Sequence, residues 1–384
     1  MSGEEALLKL IKEKATSFVI IPDTSLDSLL AASILHKNLS EYGLNVKLSL
    51  DPKLLVDYPK DPAILLNLPA ISDAQISIVR RDENTSLTGI IVSIVDKLPG
   101  IDKWDKLLAL LAAFYHGLYD ISSETIGTIE TSYFKELSEE KIVHSTLGLR
   151  VWGAKRVGLA TALSRTLLPF IPGISGNHEN ARRIVSEIFK SQDTNGIRLK
   201  EFAGNQKDPL REVLNLLVKH IQSNRQIPQQ IAYKLLGDFY ISIPELGETS
   251  EIEASELLGA LVVYNSVYSN SPEDLLFISI EKSILNVAFT VYNEVIDSVA
   301  EKIARYFEVA RNGDPIPASE LYPITRPDLI VDVLSYAGVL PLSRVVKIMV
   351  DGNTYTVLRE LIRVKTKPSE AYSICEESQL CPVK

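Results

Sequence analysis

At 384 residues the chain is long for one hydrophobic core, and a composition of 46% hydrophobic and 23% charged residues fits a globular protein of two domains. A formal net charge of -9 excludes a surface that is a nucleic-acid footprint throughout, because phosphate binding needs clustered Lys and Arg; local basic patches stay open. No run approaches the roughly 20 apolar residues of a membrane span, and the charged start MSGEEALLKLIKEK has no apolar signal core, so the expectation is a soluble, cytoplasmic protein.

In chain order, SFVIIP reads as a buried strand, and Leu26, Leu29, Leu30, Ser33, Ile34 and Leu39 then fall at helical spacing. Gly43 sits where that helix needs a left-handed stop. VKLSL (Val46 to Leu50), AILLNLP (Ala63 to Pro69), AQISIV and GIIVSIVD (Gly89 to Asp96) read as further strands. Their continuous apolar character predicts a parallel sheet covered on both faces. Lys103 to Asp120 returns to a helical period, and a helical segment is expected from Ser138 to Leu168. Prolines and glycines then forbid a helix through PFIPGISG, after which Asn177 can cap one beginning at His178.

The polar stretch SQDTNGIRLKEFAGNQKD is the expected domain edge, giving a first domain over 1–190, a second over 191–370 with a helical insert, and a flexible tail over 371–384. In the second half, Ile284, Ala288, Val291, Val295, Val299, Ile303 and Phe307 form one stripe on a helix from Glu281 to Arg311, which packs in the core or lies in a partner's groove. LPLSRVVKIMVDGNTYTVLREL reads as a strand, an Asp-Gly turn and a second strand or helix. The two cysteines, Cys375 and Cys381, fall in the tail, as ordinary thiols or as a disulfide if the source is a hyperthermophile. Histidines 36, 116, 144, 178 and 220 show no metal-ligand spacing and read as surface or cap residues.

Chemistry in an open α/β sheet lies at the carboxyl ends of the strands. Asp23 and Asp27 follow the first strand, Asn67 lies in the third, Asp96 follows IIVSIV, and Asp120 ends the next helix. That order resembles the DHH phosphoesterase superfamily, in particular archaeal RecJ-like proteins. The family's first motif, His-x-Asp-x-Asp-Gly before a small-residue helix, matches Asp23, Ser25, Asp27 and Ser28 before LLAASIL. Its second ends in an aspartate where Asn67 stands, its name motif falls on Asp96, Lys97 and Leu98, and its fourth on Asp120. PFIPGISGN is similar to a segment of the archaeal proteins over nine consecutive positions, Pro169 to Asn177. The resemblance covers residues 15–185 well and 232–293 faintly. It implies a parallel-sheet DHH domain with helices on both faces, followed by a smaller, degenerate DHHA1-like α/β domain. The Gly-Gly-Gly-His loop of that second domain is missing, since the chain contains no Gly-Gly.

Two-metal hydrolysis holds two divalent cations about 3.5 to 4 Å apart between carboxylates and imidazoles. Against the family pattern Ser25 removes a carboxylate, Asn67 is neutral, both name-motif histidines are gone, and Lys97 would repel Mg or Mn and neutralise Asp96 or Asp27. The surviving aspartates would instead cap helices and pair with Lys97. The resemblance therefore implies an inactivated protein with no metal or catalytic residues. It would be related to the Cdc subunit of the replicative helicase, binding GINS and MCM, with single-stranded DNA as a further partner. The alternative is a Mn- or Mg-dependent 5′ to 3′ single-strand exonuclease or oligonucleotide phosphodiesterase built on Asp23, Asp27, Asp96 and Asp120. Lys155, Arg156 and Arg165 form one candidate nucleic-acid patch, and Arg359, Arg363, Lys365 and Lys367 a second; a solvated basic face is the other reading of each.

Overall fold

The computed structural model describes residues 3–13, 17–80, 82–98, 100–190, 193–194, 196–198, 208–223, 228–243 and 251–383. The chain begins with α1 (Gly3–Lys12), β1 (Phe18–Pro22), α2 (Leu26–Glu41), β2 (Val46–Leu48), α3 (Leu54–Asp57), β3 (Ala63–Leu66) and β4 (Gln75–Ile78). Ser25 caps α2 by accepting from the Ser28 N–H, and Gly43, at φ +87°, follows its end. Next come α4 (Leu87–Val95), α5 (Lys103–Tyr115), β5 (Tyr119–Asp120), β6 (Thr125–Ile126), α6 (Glu130–Glu139), β7 (Val143–Leu149), α7 (Leu159–Arg165), α8 (His178–Phe189) and α9 (Pro209–Ser223). A short 3-10 helix over Gln229–Leu235 leads to β8 (Leu236–Ser242), β9 (Glu251–Glu253), α10 (Ala254–Val267), α11 (Ser271–Leu275) and the long α12 (Ile284–Arg311). The chain closes with β10 (Ile316–Pro317), α13 (Ala318–Leu321), α14 (Asp328–Tyr336), β11 (Ile348–Val350), β12 (Asn353–Val357), α15 (Leu358–Arg363), α16 (Pro368–Ile374) and β13 (Leu380–Val383).

The first four strands make the expected parallel sheet, in the order β2-β1-β3-β4. Side chains alternate across it. Phe18, Ile20, Ile64, Leu66 and Ile78 join one core with α2, α4 and α5, while Ile21, Ala63 and Leu65 join another with α3, α15, α16 and Cys381 of β13. A second, mixed sheet runs β10-β11-β12-β13, and an antiparallel sheet runs β7-β8-β9. The expected Asp-Gly hairpin joins β11 to β12, with Asp351 at φ +48° and Gly352 at φ +80°. Asn177 caps α8 by accepting from the Asn180 N–H at 2.9 Å. Apart from the half-buried Val295, the α12 stripe is buried, and the helix packs against α10, α7 and α14, so the stripe is core rather than a groove-filling face.

Three expectations fail. GIIVSIVD is helix α4, not a strand: all but one of its residues from Leu87 to Val95 are buried, so no polar face marks a helical period. Ser138 to Leu168 is not one helical segment, because the β-branched and alternating Val143–Leu149 pairs with β8 before α7 begins. The tail is ordered over α16 and β13. Cys375 and Cys381 are both buried and joined in a disulfide, and β13 completes the mixed sheet. The stretch expected as a domain edge lies largely outside the described residues. Among the described residues no helix is long and apolar enough to cross a membrane.

Candidate functional site

A crevice of about 850 Å³ opens at the carboxyl ends of β1 and β3. Asp23, Ser25 and Asn67 line it from the sheet side, Tyr115 and His116 from the end of α5, and Asp332 and Arg359 from α14 and α15.

The loop after β1 is closed on itself. Asp23 Oδ1 accepts from the Ser25 N–H at 3.0 Å and from the Ser25 hydroxyl at 2.5 Å. The Ser25 and Ser28 hydroxyls are 3.0 Å apart, and Asn67 Nδ2 donates to Ser28 Oγ at 2.9 Å. Asn67 Oδ1 accepts from the Arg80 N–H at 3.1 Å, and Asn67 itself adopts φ +57°. The family's carboxylate positions are thus linked by a chain of neutral hydrogen bonds. Burial pushes the Asp23 carboxyl above its ordinary value, an effect opposed first by the Arg359 guanidinium.

Asp27 points the other way, into the protein. Its Oδ1 accepts from the Thr88 N–H at 2.8 Å and hydroxyl at 2.7 Å, and its Oδ2 from the Leu87 N–H at 2.9 Å and His116 Nε2 at 2.7 Å. It is a buried anion at the N-terminus of α4, where unpaired N–H groups and the helix dipole favour negative charge. Burial alone would raise its carboxyl, but the His116 and Thr88 hydrogen bonds win and hold it below the ordinary value. Glu130 braces the same helix start by accepting from the Ser86 N–H at 2.7 Å, and a Cβ at Gly89 would lie 2.1 Å from its carboxylate.

Asp96 and Lys97 are exposed just past the opposite end of α4. Nine helical residues, about 13 Å at 1.5 Å each, separate them from Asp27. The expected neutralisation of Asp27 by Lys97 is therefore replaced by His116. Asp120 is exposed in β5 and closes a turn by accepting from the Ser122 N–H and the hydroxyls of Ser122 and Ser123, which lower its carboxyl below the ordinary value. In the string HGLYD, the side chain that reaches the strand-end cluster is His116, not Asp120.

Arg359 supplies one positive charge of the crevice, between two aspartates. Its NH1 donates to Asp332 Oδ1 at 2.7 Å, and its NH2 lies 3.2 Å from Asp328 Oδ1. Burial would lower its pKa, but Asp332 and Asp328 keep it protonated. Asp332 also accepts from the Tyr115 hydroxyl, and Asp328 from Thr24 Oγ1, both at 2.7 Å. Arg359 was grouped by sequence with an exposed basic patch; in the fold only Lys365 and Lys367 of that run are exposed, and Arg363 pairs with Glu360. Lys155 pairs with Glu251, Arg156 with Glu256 and Arg165 with Asp297, each cation of the other patch carrying its own carboxylate. Among the described residues no group of three or more His, Cys, Asp and Glu side chains is arranged to hold a metal ion.

No family model and no curated protein matches the sequence. Among solved structures, the crystal structure of CDC45 from Entamoeba histolytica matches over 96% of this chain and 90% of its own, with a TM-score of 0.56 and 10% identity. The chain has the CDC45 fold. Manganese-bound exonuclease RecJ matches more loosely, at a TM-score of 0.31 and 10% identity over 92% of this chain and 82% of RecJ. Of the positions singled out in the sequence motifs, Asp23, Ser25 and Asn67 line the crevice, and His116, Arg359 and Asp332, to which no motif points, line it as well. The last two stand more than 300 positions from Asp23 and carry no local motif.

Proposed function

We propose that the protein is a non-catalytic, RecJ-like scaffold subunit of an archaeal replicative helicase, joining GINS to MCM and supporting unwinding at the fork. The CDC45 fold over 96% of the chain supports the architecture. The observation that carries the non-catalytic part is the internal satisfaction of the strand-end groups: Asp27 already accepts four hydrogen bonds, and Asp23 and Asn67 are tied through Ser25 and Ser28. A two-metal mechanism needs those oxygens free and converging. The four carboxylates an enzyme would use are instead dispersed, with Asp96 and Asp120 outside the crevice.

Affinity purification of the native protein from cell extract, followed by mass spectrometry, should recover GINS and MCM subunits; recovery of neither sinks the scaffold reading. Independently, the pure protein should leave 5′-labelled single-stranded DNA intact in Mn²⁺. Cleavage that disappears in Asp27→Ala would establish the nuclease reading instead.

A further inference from the structure

Two cations, Arg80 and Lys234, line one wall of the crevice with Arg150 behind them; among the described residues none of the three forms an ion pair, and the one carboxylate that feels Arg150 is the buried Asp238. Arg80 Nε donates to the Thr85 carbonyl at 2.7 Å, and its NH2 to the Glu83 carbonyl at 2.6 Å. Lys234 Nζ reaches only the Tyr336 carbonyl, at 3.3 Å, and lies 4.1 Å from the centroid of that ring. Behind them Arg150 is buried, its guanidinium spent on the carbonyls of Gly237, Tyr119 and Leu236 and on the Tyr336 hydroxyl. Carbonyl partners orient these groups without cancelling their charge. Partly buried cations with no paired carboxylate, as at Arg80 and Lys234, leave a local positive potential.

The wall is built rather than incidental. A Cβ on Gly117, at φ +73°, would lie 3.0 Å from Lys234 Cε, so the glycine at the end of α5 makes room for the lysine stem. Burial, then Arg150 and Arg80, lower the Lys234 amine to about 8. An arriving anion would reverse that.

We infer that Arg80 and Lys234, backed by Arg150, form a binding site for a single carboxylate presented by an otherwise neutral peptide segment of a partner protein. The rest of the lining decides against a polyanion. Asp23 and Glu83 share the crevice, and a nucleic-acid strand, with a charge about every 3.4 Å, would set its neighbouring phosphates against them. Among the described residues the rings of the crevice are already engaged: Tyr115 is buried and bound to Asp332, His116 is bound to Asp27, and Tyr336 is covered by Lys234. One isolated negative charge on an otherwise neutral chain meets both conditions. The inference rests on these residues alone and is independent of the proposed place at the fork.

The test follows trace acetylation of Lys234 by acetic anhydride in the full-length protein, read by mass spectrometry. The competing probes are the blocked peptides acetyl-Gly-Glu-Gly-amide and acetyl-Gly-Gln-Gly-amide, and pentathymidylate. The Glu peptide should protect Lys234 at concentrations at least about tenfold below the Gln peptide, and Arg80→Gln should raise the required concentration by about tenfold. Equal protection by the two peptides, or none by the Glu peptide, overturns the inference. Stronger protection by pentathymidylate overturns it in favour of nucleic acid. Because the decisive readout is made on the unaltered protein, poor folding of a variant cannot rescue the claim.

Discussion

The two faces of the parallel sheet are covered by opposite strategies. One meets α2, α4 and α5, all within about a hundred residues of β1; the other meets the short α3 and, over it, α15, α16 and β13 from a much later part of the chain. The near face is tied by a buried charge, Asp27, which joins α2 to α4 and to the end of α5. The far face is tied by covalent and backbone links. The Cys375–Cys381 disulfide closes a loop from which Gln379 Nε2 donates to the carbonyls of Pro22 at 2.6 Å and Leu50 at 3.0 Å. Arg326 holds the same loop through the Ser378 carbonyl and also binds Asp328, a partner of Arg359. The crevice therefore depends on local packing from one side and on the most distant segment of the sequence from the other.

The comparison breaks most visibly if the far cover is removed. A chain ending at Val357 uncovers Ile21, Leu65 and Leu68 and should fail to accumulate as soluble protein; a truncated chain that melts like the full one would show that the far face needs no cover. Leu66→Ala and Leu65→Ala, which open cavities on opposite faces, should each cost about 2 to 5 kcal/mol in urea unfolding. Only Leu65→Ala should also speed amide exchange in β13, and equal exchange in both would blur the distinction between faces.

Replacing Asp27 by Asn loses a charged acceptor at the start of α4 and should cost about 2 kcal/mol near neutral pH. The Asp27 carboxyl is lowered in the folded state from an ordinary 3.8, so its stabilisation is complete above that value. It is lost as pH falls through the lowered one. Asp27→Asn should accordingly flatten the acid side of the stability profile, and an unchanged acid limb would remove Asp27 from the account. The smallest effect is expected from the disulfide. Closing so short a loop restrains the unfolded chain by about 2 kcal/mol, so Cys375→Ser, or reduction, should lower stability by up to that amount while leaving the near face's amide protection intact.

The same division governs what could be read from sequence. The strands β1 to β3, helix α2 with its Gly43 stop, the Asn177 cap and the Asp-Gly hairpin all rest on contacts within a few residues, and all were legible. Helix α4 was not, because a helix buried all round has no polar side to betray its period. Neither was the ordered tail, whose polar look hides a disulfide loop fitted to β1. In the site, Asp23, Ser25 and Asn67 were found because they sit at strand ends, which the topology rule locates. His116 was passed over because one histidine among five has no spacing signal, and its meaning comes from Asp27, 89 positions away. Arg359 read as part of a basic run because its two aspartate partners lie on another helix.

The Gln379 clamp has a consequence for the order in which the molecule can be made. β1 is made long before residues 358–383, so the near face can collapse while the ribosome is still working, but the far face has only α3 and its neighbours over it until those residues have emerged. Until then the far face around Ile21 and Leu65 lacks α15, α16 and β13, and is only partly covered. The residue that finally locks the end of β1 is translated 357 positions after the strand it holds.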